Sequence, residues 1–261
     1  MGYVKNSSMK FKVKNSLRDG SFDLNYIVAA VERCNQMMKD ISEFEINIFE
    51  ILGLRNLSGF VGEVFAVALA KESSGLFLKN PHQDGYPDLL LMDETGRSAF
   101  RKLAGKTKDK APFSPFISGG VEVKASVGSV PTPKELAKKG LSKPEIGDQR
   151  ITLLNGYDWK SHHRDTNNLL GIVWDFVGGI PCVVAVFYSS DLSIDDWGKV
   201  TKPKAGGGNT TSVSIIKRSG IEKMYKGWLC VIDDVRYAEF INKKNRGSLI
   251  PNTTLKSSTE I

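Results

Sequence analysis

The sequence predicts an α/β protein, and three observations carry that prediction. Two apolar runs, Leu169 to Val177 and Pro181 to Tyr188, are joined by Gly178-Gly179, the punctuation of a β-hairpin. Two shorter apolar runs, Pro87 to Met92 and Val121 to Ala125, have the length and composition of strands. From Asp23 to Lys39, in contrast, Leu24, Ile27, Val28, Val31 and Met38 recur at helical spacing and mark one buried stripe.

The remaining elements follow in order. Residues 1 to 20 read as a basic arm preceding one domain over residues 21 to 242, with a polar tail from 243 to 261. Ile46 to Leu52 reads as a short helix ended by Gly53, and Asn56 or Ser58 caps the next helix, Gly59 to Lys71. On that helix Phe60, Glu63, Val67 and Ala70 share a face, which would put the Glu63 carboxylate on a core-facing stripe in need of a partner or a metal. Leu76 to Lys79 is a short strand, and Asp93-Glu94-Thr95-Gly96 is a turn signal. Arg101 to Lys110 reads as a cationic loop. Val127 to Gln149 is a Pro-, Gly- and Lys-rich stretch with one helical turn at Lys134 to Lys139. Ile194 to Trp197 is a helical turn, Ser212 to Ile216 and Trp228 to Ile232 are late strands, and Val235 to Asn242 is a helix.

Composition bounds the function. With 41% hydrophobic and 25% charged residues the chain is an ordinary globule, and its net charge of +7 favours an anionic partner. No apolar run reaches the roughly 18 residues of a membrane span, and the polar N-terminus lacks the apolar core of a secretory signal. Cys34, Cys182 and Cys230 are odd in number and unpaired in spacing; Cys182 and Cys230 lie inside apolar runs and read as reduced core residues, and the chain reads as intracellular.

The chemistry concentrates in two places. Pro87-Asp88 opens one strand, and Glu122-Val123-Lys124 lies within another. Side chains alternate along a strand, so Glu122 and Lys124 share a face while Val121 and Val123 take the other. Two carboxylates and an ammonium at the wet edge of a sheet can hold a divalent cation and activate a water beside it. Asp84, in a Gln-Asp-Gly turn, is a weaker competitor for Asp88.

The pairing of Pro87-Asp88 with Glu122-Val123-Lys124 resembles the PD-(D/E)XK nuclease superfamily, and within it the type II restriction endonucleases. The resemblance covers about residues 55 to 190. It implies a restriction-endonuclease-like core, a mixed central sheet of about five strands flanked by helices. It implies Mg2+-dependent, site-specific hydrolysis of double-stranded DNA by a homodimer in the cytoplasm of a bacterial or archaeal cell. Asp88, Glu122, the Val123 carbonyl and Glu63 would be metal ligands, with Lys124 completing the catalytic set. A repair or nicking endonuclease on the same core, or a basic DNA-binding protein without catalysis, are the alternatives.

Basic segments supply candidate DNA contacts. Lys134, Lys138, Lys139 and Lys143 follow the Glu-Val-Lys strand. Lys160, His162, His163 and Arg164 combine cations with Trp159, and with no cysteine or third histidine nearby the histidines do not make a zinc site. Lys202, Lys204, Asn209, Thr210 and Thr211 surround a run of glycines that lacks the lysine-serine ending of a P-loop. Each stretch also reads as a solvated loop or linker.

Overall fold

The structure is a computed structural model that describes residues 2–9, 11–14, 19–103, 105–161, 168–200, 214–245, 247 and 250. Its elements are β1 (Tyr3–Lys5), β2 (Phe11–Lys14), β3 (Asp19–Phe22), α1 (Leu24–Ser42), α2 (Ile48–Glu72), β4 (Phe77–Lys79), β5 (Leu89–Leu91) and α3 (Glu94–Lys102). They continue with β6 (Gly120–Ser126), α4 (Pro133–Ala137), β7 (Lys160–Ser161), β8 (Leu169–Val177), β9 (Ile180–Ser189), β10 (Ser214–Ile215), α5 (Arg218–Lys226), β11 (Trp228–Ile232) and α6 (Val235–Lys244).

Seven strands form one mixed sheet in the order β1-β11-β9-β8-β6-β5-β4. Among the described strands of this sheet only β6 and β8 run parallel. The α/β class holds, but the sheet is wider than five strands, because β11 and β1 extend it beyond the β8–β9 hairpin. That hairpin forms where the glycine pair stands, and Gly178 and Gly179 both take positive φ (60° and 79°), the conformation its tight turn needs.

Alternation along the strands divides the core between two faces. On β8, Leu170 and Ile172 face α1 and α2, where they meet Ile27, Val31, Phe65 and Leu69. Leu169 and Val173 face the other way, toward Met224 of α5, Tyr237 and Ile241 of α6, and Trp159 and Trp197. Burying each Leu, Ile or Phe side chain contributes about 1.5–3 kcal/mol, so the two layers hold the sheet from both sides. Cys34, Cys182 and Cys230 are buried thiols outside any disulfide, and burial pushes them up to about 12, 11 and 12. Among the described residues no single helix is long and apolar enough to cross a membrane.

Several local expectations change. The start of the chain is not all an arm: β1 pairs with β11, and Asn6 is buried, its Nδ2 donating to the Trp228 carbonyl at 2.9 Å. β2 and β3 pair as a separate two-stranded ribbon. Helix α2 begins at the Asn47 cap, and the expected break at Gly53 is present, as a non-helical residue (φ +61°) at a kink between two helical segments. No second cap forms at Ser58, which instead lies within the helix and donates back to the Leu54 carbonyl at 3.1 Å.

The buried face of α2 is Leu57, Val61, Phe65, Ala68 and Leu69, and Val67 is exposed, so Glu63 is not on a core-facing stripe. Asp93-Glu94-Thr95-Gly96 is a helix start and not a turn: Asp93 accepts from the Gly96 N–H at 2.7 Å and caps α3, which takes in Arg101 and Lys102 at the start of the expected cationic loop. α5 has no counterpart in the expectations. At the other end α6 runs to Lys244, and Asn242 exchanges two hydrogen bonds with the backbone of the buried Ile250, so the region after 242 is partly packed.

Candidate active site

The site forms where β5 separates from β6. The two strands pair only through Leu89↔Val121 and Leu90↔Gly120. The glycine before the Glu-Val-Lys run is needed for that approach, since a Cβ on Gly120 would overlap the Leu89 carbonyl oxygen. Beyond this pairing the Asp88 side chain takes over from backbone: its Oδ2 accepts from the Val123 N–H at 2.9 Å. The N–H and carbonyl of one strand residue point to the same edge, so the Val123 carbonyl also faces the edge where Asp88 lies.

Glu122 and Lys124 share a face, as alternation requires, and Glu122 Oε1 is 2.5 Å from Lys124 Nζ. The same ammonium lies 3.4 Å from Asp88 Oδ2. Glu122 Oε2 accepts from the Asp88 N–H at 3.2 Å. The Glu122 side chain is only 6% exposed, against 20% for Asp88 and 24% for Lys124, so Glu122 forms the floor and the other two open to solvent.

The electrostatics follow from that burial. Desolvation pushes the Glu122 carboxyl up to about 7; Lys124 draws it down and the Asp88 carboxylate pushes it further up. For Lys124, burial works against the charge, but the Glu122 and Asp88 carboxylates outweigh it and hold the ammonium above its ordinary value. Lys124 is therefore a fixed positive charge and a hydrogen-bond donor, not a base at neutral pH.

Asp88, Val123 and Lys124 line a cleft of about 160 Å³ with Ser58, Gly59, Gly62, Glu63, Ala66 and Ala125. Small residues on α2 allow the helix to approach β6 closely, and a Cβ on Gly62 would stand 3.6 Å from that of Ala125. Glu63 thus reaches the rim of the cleft, although its side chain is 64% exposed and paired with Lys79 at 2.9 Å. Larger hollows lie elsewhere, one of about 650 Å³ between α1 and α2. It is lined by charged and aliphatic side chains, and Arg33 and Glu72 in its wall are paired with each other.

No protein-family model matches this chain, and no curated protein or solved structure is significantly similar to it. The geometry stands alone. No cluster of three or more histidine, cysteine or acidic side chains poised for a metal occurs among the described residues. The donors that do converge are two carboxylates and one carbonyl, hard oxygen ligands of the kind magnesium takes while it keeps several waters. The Lys124 ammonium already lies against both carboxylates, which marks the place as one that a cation neutralises. Among the described residues Asp88 Oδ1 has no hydrogen-bond partner. The residues present fit the group.

The outlying basic candidates divide. Lys134, Lys138, Lys139 and Lys143 are exposed on and after α4, whose start is fixed by a Thr132–Glu135 capping box. Lys160 is exposed, but on β7, paired with β10, and not in a loop. Trp159 beside it is buried against Phe187, so it is a core residue and not a stacking platform. His162, His163, Arg164, Lys202, Lys204, Asn209, Thr210 and Thr211 lie outside the described residues.

Sequence reasoning also missed Asn80. It is buried at the end of β4 and hydrogen-bonded to the segment that carries Asp88. A lone Asn-Pro before a Gly-containing stretch signals only a turn.

Proposed function

We propose that this chain is a Mg2+-dependent endonuclease that hydrolyses phosphodiester bonds in double-stranded DNA, acting as a type II restriction enzyme does. The observation that carries the reading is the convergence of Asp88, Glu122 and Lys124 at a strand edge that opens to solvent. The net charge of +7 and the exposed lysines on and after α4 suit a polyanionic substrate.

Asp88, Glu122 and the Val123 carbonyl would hold the cation, with Glu63 at the rim. When bound, it lowers the pKa of water and offsets charge on the phosphate. Lys124, kept charged by its two neighbours, orients the attacking water and stabilises the extra negative charge on the phosphoryl oxygens. Water attacks phosphorus in line and gives up a proton to solvent as its bond to phosphorus forms, the bond to the 3′-oxygen breaks and that oxygen takes a proton from solvent, and the ends are 5′-phosphate and 3′-hydroxyl. Each chain supplies one such set, and one set cuts one strand. Cutting both strands at a fixed site then calls for two copies about a two-fold axis, matching a palindromic site.

Incubating supercoiled plasmid with the protein, with and without Mg2+, tests the reading. Discrete linear fragments that require Mg2+ are expected. Open circles alone would make the protein a nicking enzyme, and retardation without cutting would make it a binder.

A further inference from the structure

The inference that the structure carries furthest concerns Asn80, and it rests on the nuclease reading above. We propose that the buried Asn80 carboxamide is a positioning residue that sets the place of Asp88 at the cleft.

Asn80 follows the last residue of β4 and is 6% exposed. Its backbone N–H donates to the Asp88 carbonyl at 2.9 Å, which extends the β4–β5 ladder to the candidate residue itself. Its Nδ2 donates to the Pro87 carbonyl at 2.9 Å and to the Phe113 carbonyl at 3.0 Å. Its Oδ1 accepts from the His82 N–H at 3.0 Å. Both side-chain donor hydrogens and the acceptor oxygen are thus engaged by backbone from three separate segments.

Those segments are the ones that would otherwise let Asp88 move. The Phe113 carbonyl also accepts from the Tyr86 N–H, and the Tyr86 carbonyl from the Phe116 N–H, so the stretch entering Asp88 is tied to the 113–116 loop through Asn80. Gly85 packs flat against the carboxamide, and a Cβ there would overlap it. β5 is only three residues long, too short to fix its own entry. Aspartate lacks the donors for Pro87 and Phe113, and a leucine would remove the side-chain donor to the Pro87 carbonyl and leave the Phe113 carbonyl with the Tyr86 N–H as its remaining partner. Asn80 is too deep to touch a substrate, so it acts through Asp88.

The test compares wild type with Asn80→Asp, Asn80→Ala and Gly85→Ala. Gly85→Ala pushes on the same carboxamide without removing it. Amide hydrogen exchange is read at Asp88 and Val123, whose N–H groups donate to the Glu122 and Asp88 carboxylates, alongside single-turnover cleavage and DNA affinity. Faster exchange at those two amides is expected, with β8 and β9 still protected. Single-turnover rates should fall at least about tenfold, the Mg2+ concentration for half-maximal rate should rise, and the DNA dissociation constant should stay within about twofold.

Unchanged protection at Asp88 and Val123 in all three variants would overturn the proposal. So would loss of protection across the whole sheet in all three, which would make Asn80 a general folding residue. Selective loss in a protein whose wild type cuts no DNA would keep the positioning role and reject the nuclease reading.

Discussion

Two buried carboxylates on neighbouring strands have opposite surroundings. Asp175 on β8 is 1% exposed and accepts from the N–H groups of Arg150, Ile151 and Phe176 and from the Tyr237 hydroxyl. Burial raises its pKa, and those neutral donors oppose the rise. Glu122 on β6 is buried too, but it accepts from the Asp88 N–H and the Lys124 ammonium and lies beside the like charge of the Asp88 carboxylate. Asp175 is a closed knot that ties the 150–151 turn to α6. Glu122 belongs to a charged trio with one side open. Burial alone does not separate structure from function; what remains unsatisfied at the open side does.

The largest effect should come from breaking the open trio. Asp88→Ala or Glu122→Ala should abolish Mg2+-dependent cleavage, by about a thousandfold or more, because several kcal/mol of charge stabilisation is lost. The purified variants should keep the wild-type circular dichroism. Near-normal plasmid cutting by either would end the assignment.

Lys124→Ala comes next, with a loss of at least about a hundredfold, since one positioned donor is worth about 2.7–4 kcal/mol. DNA affinity measured in Ca2+ should survive. If binding vanished with the rate, Lys124 would be a docking residue.

The closed knot should behave in the opposite way. Asp175→Ala leaves several buried donors unpaired at about 1–3 kcal/mol each, so urea denaturation should show a loss of about 3 kcal/mol. The rate per folded molecule should change little. A Asp175→Ala protein as stable as wild type would erase the contrast.

pH offers a subtler comparison. The Glu122 carboxyl is raised from 4.5 to about 7 in the folded state, chiefly by burial. Between those values the folded protein holds a proton that the unfolded chain has released. Its stabilising contribution is therefore complete below the ordinary glutamate value and is lost as pH climbs through about 7. Metal-free protein should be more stable at pH 5 than at pH 8, and Glu122→Gln should flatten that part of the profile.

The smallest effect is expected at Glu63. Its pairing with Lys79 is exposed, and such pairs are worth no more than about 1 kcal/mol. Glu63→Gln should slow cleavage less than about fivefold, and a hundredfold loss would promote Glu63 from the rim to a principal ligand.

Much of this was legible in the sequence for identifiable reasons. The β8–β9 hairpin announces itself because its strands are long, apolar and joined by two glycines. Glu122 and Lys124 share a face because strand alternation leaves no choice. Glu63 was misplaced because α2 is apolar around most of its circumference, so periodicity does not fix which side is buried. α3 was hidden because Asp-Glu-Thr-Gly serves equally as a turn and as a helix cap. α5 begins Arg-Ser-Gly, a weak helical start, and only its packing of Met224 and Tyr225 against the sheet reveals it. Asn80 acts through carbonyls supplied by residues distant in sequence, and no local pattern encodes that.

The pairing of β1 with β11 has a consequence for the order of events during synthesis. Tyr3 lies opposite Ile232, so one margin of the sheet joins strands far apart in sequence, with Asn6 and Trp228 separated by 222 positions. The hairpin, with its local contacts, can zip early, whereas the β1–β11 seam must wait for all the residues between them and close a very long loop. Until then β9 presents a bare row of backbone donors and acceptors on the side that β11 will cover. The nascent protein thus passes through a long interval with one sticky flank, and that flank is where neighbouring unfinished chains would first adhere.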